Sequence, residues 1–157
     1  MNDAERIADY IIAKCVSDKE YISNYQLQKI LYLVQIAFYQ KLDRPAFSDE
    51  IQAWNWGPVI LDVYYKWCGF GGVEIGIAPT IKLPPKEERD VIDPVVEKAR
   101  KMDPWGLREM VCREGGPWEK TYNSMKERYD EDIPEYRKYH TISDYLLANA
   151  KIDWTVS

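Results

Sequence analysis

A chain of 157 residues fits one domain with a sizeable core rather than two. Its formal net charge of −5 sets it apart from general nucleic-acid binders, which carry a basic balance or a strongly basic face. No run reaches transmembrane length, and the polar, acidic start lacks the basic and apolar regions of a signal peptide.

The elements follow in order. Asn2 and Glu5 are placed to cap a first helix, on which Ala4, Ile7, Ala8, Ile11, Ile12 and Cys15 form one apolar stripe. Ser17 to Glu20 is a polar turn. Ser23 and Gln26 then have the spacing of a capping box, with Ile22 and Leu27 as its hydrophobic staple. Leu27, Ile30, Leu31, Val34, Phe38 and Leu42 recur at helical spacing, and Tyr32, Leu33, Ile36 and Tyr39 add bulk on the other faces. A helix apolar nearly all round is a core helix packed on several sides. Its Gln and Lys residues rule out a membrane span.

A polar link, Asp43 to Asp49, leads to a short extended segment at Ile51-Gln52-Ala53-Trp54. Gly57-Pro58 reads as a helix start, since proline suits the first helical position. Val59, Ile60, Val63, Tyr64 and Trp67 then form a stripe, and Gly69 supplies the stop. Alternation at Val73, Ile75, Ile77, Ile81 and Leu83 is the one strand-like stretch, confined by Pro79 to an edge or hairpin tip. Pro84-Pro85 opens a charged helix from Glu87 to about Met102, where Pro94 requires a kink or a later start near Asp93. Asp103-Pro104 caps and starts the next helix, packed through Leu107, Met110 and Val111. Gly115-Gly116 ends it and Pro117 starts another, with Trp118, Tyr122 and Met125 on one side. Arg128 to Tyr139 reads as loop with a short turn, and Thr141 and Asp144 as the cap of a last helix. The fold expected is mainly α: a single compact multi-helix domain around a buried central helix, with at most a small β-hairpin.

Three separated blocks, Leu27-Gln28-Lys29-Ile30-Leu31-Tyr32, Ile51-Gln52-Ala53-Trp54-Asn55-Trp56-Gly57-Pro58-Val59 and Gly116-Pro117-Trp118, resemble in order the signature of the Panacea domain. That phage-associated family includes SocA-like antitoxins. The resemblance covers about residues 5–125 of a single domain, 1–157, with 126–157 as a helical tail. It marks Leu27, Gln28, Lys29, Leu31, Tyr32, Trp54, Gly57, Pro58, Pro117 and Trp118 as a structural signature. Relatives often carry a histidine shortly before the Pro-Trp pair where this chain has Cys112, so no role of that histidine is carried over. The resemblance implies an antitoxin that neutralises a co-encoded toxin by direct binding, with a protease as a further partner where members act as adaptors; the widely spaced cysteines and the lack of a signal peptide lead to the expectation of a cytoplasmic protein.

Read from the residues alone, twelve tyrosines and six tryptophans suit either a core or a protein-binding surface. Trp54 and Trp56 are core filler or an exposed anchor. Tyr65 falls off the Val63–Trp67 stripe and is the better surface candidate. Trp118 either plugs the core or joins Trp54, Trp56 and Tyr65 in contacting a partner. Lys29 packs its stem while its ammonium reaches solvent, or meets a carboxylate or helix C-terminus. Cys15, Cys68 and Cys112 have neither disulfide arithmetic nor metal-ligand spacing, so free thiols are expected. His140, the single histidine, has no nominated nucleophile or orienting partner. No catalytic residue, metal or cofactor is nominated, and no enzyme is expected. A DNA-binding regulator is the alternative, opposed by the acidic balance and by an apolar central helix ill suited to recognition. A small-metabolite enzyme stands behind it.

Overall fold

The computed structural model describes residues 3–126 and 139–155. Seven α-helices and one two-stranded antiparallel sheet make up their regular structure: α1 (Ala4–Ser17), α2 (Asn24–Leu42), β1 (Gln52–Trp54), β2 (Gly57–Val59), α3 (Leu61–Trp67), α4 (Lys86–Ala99), α5 (Pro104–Val111), α6 (Pro117–Lys126) and α7 (Asp144–Ala148). The mainly α expectation is met. No described helix is long and apolar enough to cross a membrane.

The centre is α2. The Ser23 hydroxyl accepts from the Gln26 amide at 3.2 Å and the Gln26 side chain accepts from the Ser23 amide at 2.8 Å, the reciprocal capping box. Thirteen of its first fifteen residues, all but Tyr25 and Gln26, are buried, because α1, α3, α4, α5, α7 and β2 all pack on it. Its buried amide side chains are matched. Gln35 accepts from the Ala46 and Phe47 amides at 2.8 and 3.3 Å and donates to the Phe47 carbonyl at 2.9 Å, fixing the chain after the helix. Gln28 accepts from the Ile60 amide at 2.9 Å and donates to Asn24 at 3.0 Å, which in turn donates to the Tyr64 carbonyl at 3.1 Å. One side chain thus ties α2 to the end of the hairpin and, through Asn24, to α3.

Five local expectations are corrected. The cap of α1 is Asp3, which accepts from the Arg6 amide at 2.9 Å; Asn2 lies outside the described residues. Gly57-Pro58 forms strand rather than helix, with register Gln52↔Val59, Ala53↔Pro58 and Trp54↔Gly57. Gly57 takes φ +138°, open to glycine. The Ala53 amide donates away from β2, to the His140 carbonyl at 2.9 Å, so Ala53 and Pro58 face one another at a non-hydrogen-bonded site where a proline costs no ladder bond. The stretch from Val73 to Leu83 forms no ladder. Ile75 is anchored there, buried and donating to the Ile22 carbonyl at 2.8 Å, and Ile81 packs partly buried against the core, while Val73, Ile77 and Leu83 stay exposed. Helix α3 runs into a 3₁₀ turn, Cys68–Phe70, and the positive φ falls at Gly71, not Gly69. Finally α7 is capped by Ser143, while Thr141 bridges Gln52 in antiparallel fashion.

Pro94 sits inside α4, which begins at Lys86 rather than near Asp93. It lies on the exposed face, as does Asp90, whose carbonyl it leaves unpaired and open to water. Asp103 caps α5, accepting from the Gly106 amide at 2.8 Å, with Pro104 in the first turn. The loop expected over Arg128 to Tyr139 lies, apart from Tyr139, outside the described residues.

Gln28→Leu strands the Ile60 amide and the Asn24 side-chain oxygen Oδ1 in the interior, and is expected to cost about 2–4 kcal/mol by urea unfolding. A change under about 0.5 kcal/mol, the level of an ordinary surface substitution, would show that this amide does not clamp the hairpin.

Candidate functional site

The tight turn at 54–57 brings Trp54 and Trp56 to one side of the hairpin, their ring centroids 5.7 Å apart and edge-on. Because Gln28 fixes the exit at Ile60, the first turns of α3 rise directly beside them. Tyr64 lies 5.5 Å from Trp54 and 5.9 Å from Trp56, and Tyr65 continues the row at 5.5 Å from Tyr64. Tyr25, on the outward side of the first turn of α2, meets Trp56 edge-on at 4.8 Å. Tyr139 stacks on Trp54 at 4.8 Å, with 17° between the planes. Six rings drawn from four separate stretches of chain therefore form one continuous surface.

None of the six is buried. Tyr65 is 62% exposed and Tyr25 42%, and the other four are half-buried. The surface rests on firm ground. Trp118, buried, donates from its indole to the Trp54 carbonyl at 2.8 Å and stacks on Tyr122. The Trp54 indole donates to Gln52 at 2.9 Å. Trp118 itself presents no outer face; its ring is a support below the surface made by Trp54, Trp56 and Tyr65. Tyr25 and Tyr139 escaped the sequence reading. Tyr25 had one usable signal, its place between the Ser23 cap and Gln26, where the first turn of a capped helix faces out. Tyr139 had none, since the pairing of 140–142 with β1 is invisible locally.

Beneath the hairpin tip lies Lys29, 8% exposed. Its ammonium is 5.7 Å from the centre of the Trp56 ring, and a Cβ on Gly57 would touch its Cε and Nζ at 3.5 and 3.6 Å. Burial holds its pKa below the ordinary lysine value; Cys112 opposes and Arg108 adds to the effect. The signature residues Leu27, Leu31 and Tyr32 are buried along the same helix, and the Tyr32 hydroxyl accepts from the Trp118 amide at 3.3 Å. Pro58 and Pro117 are buried as well. The signature thus converges on the joint between α2, the hairpin and α6.

No cluster of three or more His, Cys, Asp or Glu among the described residues is placed to hold a metal ion. His140 is half-buried, and its amide meets the Met125 sulfur at 3.2 Å. Burial pushes the Cys112 thiol up to about 11, against the pull of Arg108 and Lys29, which is the reverse of what a thiolate nucleophile needs.

Comparison with known proteins agrees with this signature. The profile of the family described as "Antitoxin SocA-like, Panacea domain" matches residues 27–119. Antitoxin SocA of Caulobacter vibrioides (strain NA1000 / CB15N) is 26% identical over 130 residues, covering 74% of this chain and 69% of that protein. No solved structure matches significantly. The family match takes in more than half of the chain and all three signature blocks, and the chain belongs to the SocA-like Panacea family.

Cys68 is exposed, Cys15 buried and Cys112 half-buried. At pH 8 iodoacetamide is expected to label Cys68 in the native protein, with Cys112 slower by about two orders of magnitude because so little of it is thiolate. Mass spectrometry of the modified peptides reads this directly; rapid labelling of Cys112 would contradict its environment.

Proposed function

We propose, taking membership of the SocA-like Panacea family as the premise, that this chain neutralises a co-encoded protein toxin by direct contact, and that the face of Tyr25, Trp54, Trp56, Tyr64, Tyr65 and Tyr139 is where the toxin docks. The observation that carries the reading is the continuity of six partly exposed rings on a backbone held by buried amides. Tyr and Trp offer large contact area with few rotatable bonds, which is why they dominate binding hot spots. A monomer that only needed a core would bury such rings, and this chain buries Trp67 and Trp118 while leaving these six at the surface.

The relation to a related antitoxin supports a toxin as the partner, and the character of the face supports contact as the means. The acidic balance adds a field that would attract a basic toxin over the distances at which charge steers encounter. In an adaptor mode the same contact would present the toxin to a protease. The central helix α2, buried on most sides, is not free to lie in a DNA groove.

The test is co-expression with the product of the adjacent reading frame, scored by growth and co-purification. Rescue is expected, and the double substitution Tyr25→Ala, Tyr65→Ala is expected to abolish it while the protein stays folded by circular dichroism. Trp105→Ala, at a ring 75% exposed elsewhere on α5, is expected to leave rescue intact. Rescue with the toxin retained in a complex marks sequestration; rescue with loss of the toxin marks delivery to a protease. Full rescue by the double variant would remove the aromatic face from the account.

A further inference from the structure

We propose that Lys29 is the receptor for a carboxylate of the protein partner, taken up at the hairpin tip beside Trp56 and Gly57. The inference rests on the aromatic-face reading above and names the chemistry of what docks there.

The Lys29 side chain is more than nine-tenths buried, yet among the described residues no hydrogen bond or ion pair reaches its ammonium. Trp56 attracts the charge through the face of its ring, but a ring satisfies none of the three N–H donors in the way an oxygen does. Several other cations of the described fold are paired. Lys14, Lys66 and Arg100 each find a carboxylate, at 3.2, 2.9 and 2.8 Å. A cation left in the interior without an acceptor is costly, and methionine or leucine at this position would fill the same space at no such cost.

The surroundings select for a negative charge. The charged group that bears on Lys29 is Arg108, a second cation, and no carboxylate of the described residues contributes. Arg108 is exposed on α5 and has no ion-pair partner among the described residues. Gly57, with no side chain, leaves the Lys29 Cε and Nζ uncovered by any Cβ. Trp56, half-buried at the turn, touches Tyr25, Trp54 and Tyr64 and so lies within the six-ring face. A partner segment lying on that face would carry its carboxylate to this point, where the low-dielectric setting makes the charge pair strong. Lys29 would then be a specificity element: a partner without the acid would seal the ammonium in the interior unpaired.

The test uses the full chain with the product of the adjacent reading frame as the binding probe. Lys29→Met is expected to fold and to melt no lower than the parent, since it removes an unpaired buried charge, while weakening partner binding by about 30-fold or more. Replacing each Asp and Glu of the partner in turn by Asn or Gln is expected to reveal one substitution that weakens binding comparably, and that adds no further loss when combined with Lys29→Met. Binding by Lys29→Met within about twofold of the parent, while Tyr25→Ala, Tyr65→Ala loses it, would overturn this inference and leave the aromatic face standing. Should Lys29→Met fail to fold, the scan of the partner's acids against the parent chain decides: no acid whose removal weakens binding would overturn the proposal. Loss in neither the lysine variant nor the tyrosine variant would remove both.

Discussion

The Gln28 amide, buried between the central helix and the end of the hairpin, is the interaction on which the geometry of the rest depends. Hairpin and helix are built from short pieces: three-residue strands and a seven-residue helix that would not hold together in water by themselves. What orients them is a donor–acceptor match made in the dry interior, where an unmet partner would be expensive. Gln28 takes the Ile60 amide and holds Asn24, which takes the Tyr64 carbonyl. Gln35 does the same work for residues 46–47 two turns further on. An otherwise apolar helix thus uses two amides to decide where the chain returns.

That arrangement has a consequence on the outside. With the hairpin exit fixed against α2 and the indole of Trp118 holding the Trp54 carbonyl from below, the rings of Trp54, Trp56 and Tyr64 have little freedom to sink into the core. The backbone carrying them is buried while the rings remain at the surface. A rigid aromatic face costs little conformational entropy when a partner settles on it. Lys29 belongs to the same joint but breaks its rule, being the polar group of the central helix that the described fold does not match. Polar groups in a core are normally satisfied, so a mismatch in so carefully paired a helix is a sign of a demand from outside the fold.

Much of the scaffold was legible because its signals are local. Ser23 and Gln26, three apart before an apolar run, specify a capping box whatever lies elsewhere, and Asp103-Pro104 specifies a helix start in the same way. The failures share the opposite cause. Pro58 suits either the first turn of a helix or an edge strand at a non-hydrogen-bonded site, and only the pairing of Ala53 with His140, some ninety residues on in the chain, distinguishes them. Val73 to Leu83 has strand alternation but no neighbour to pair with. The site was half-visible for the same reason. Trp54, Trp56 and Tyr65 could be singled out by spacing, whereas Tyr139 joins them only through that distant pairing, and Trp118 is drawn inside by a carbonyl no sequence pattern advertises.

The central claim is that the hairpin face receives the partner. Hydrogen exchange of the chain, free and in complex with the product of the adjacent reading frame, tests it most directly. The account predicts that slowed exchange on binding concentrates in peptides covering residues 52–66 and the start of α2, with α4 unchanged. Protection confined to α4 or α7, with the hairpin exchanging as in the free protein, would contradict it.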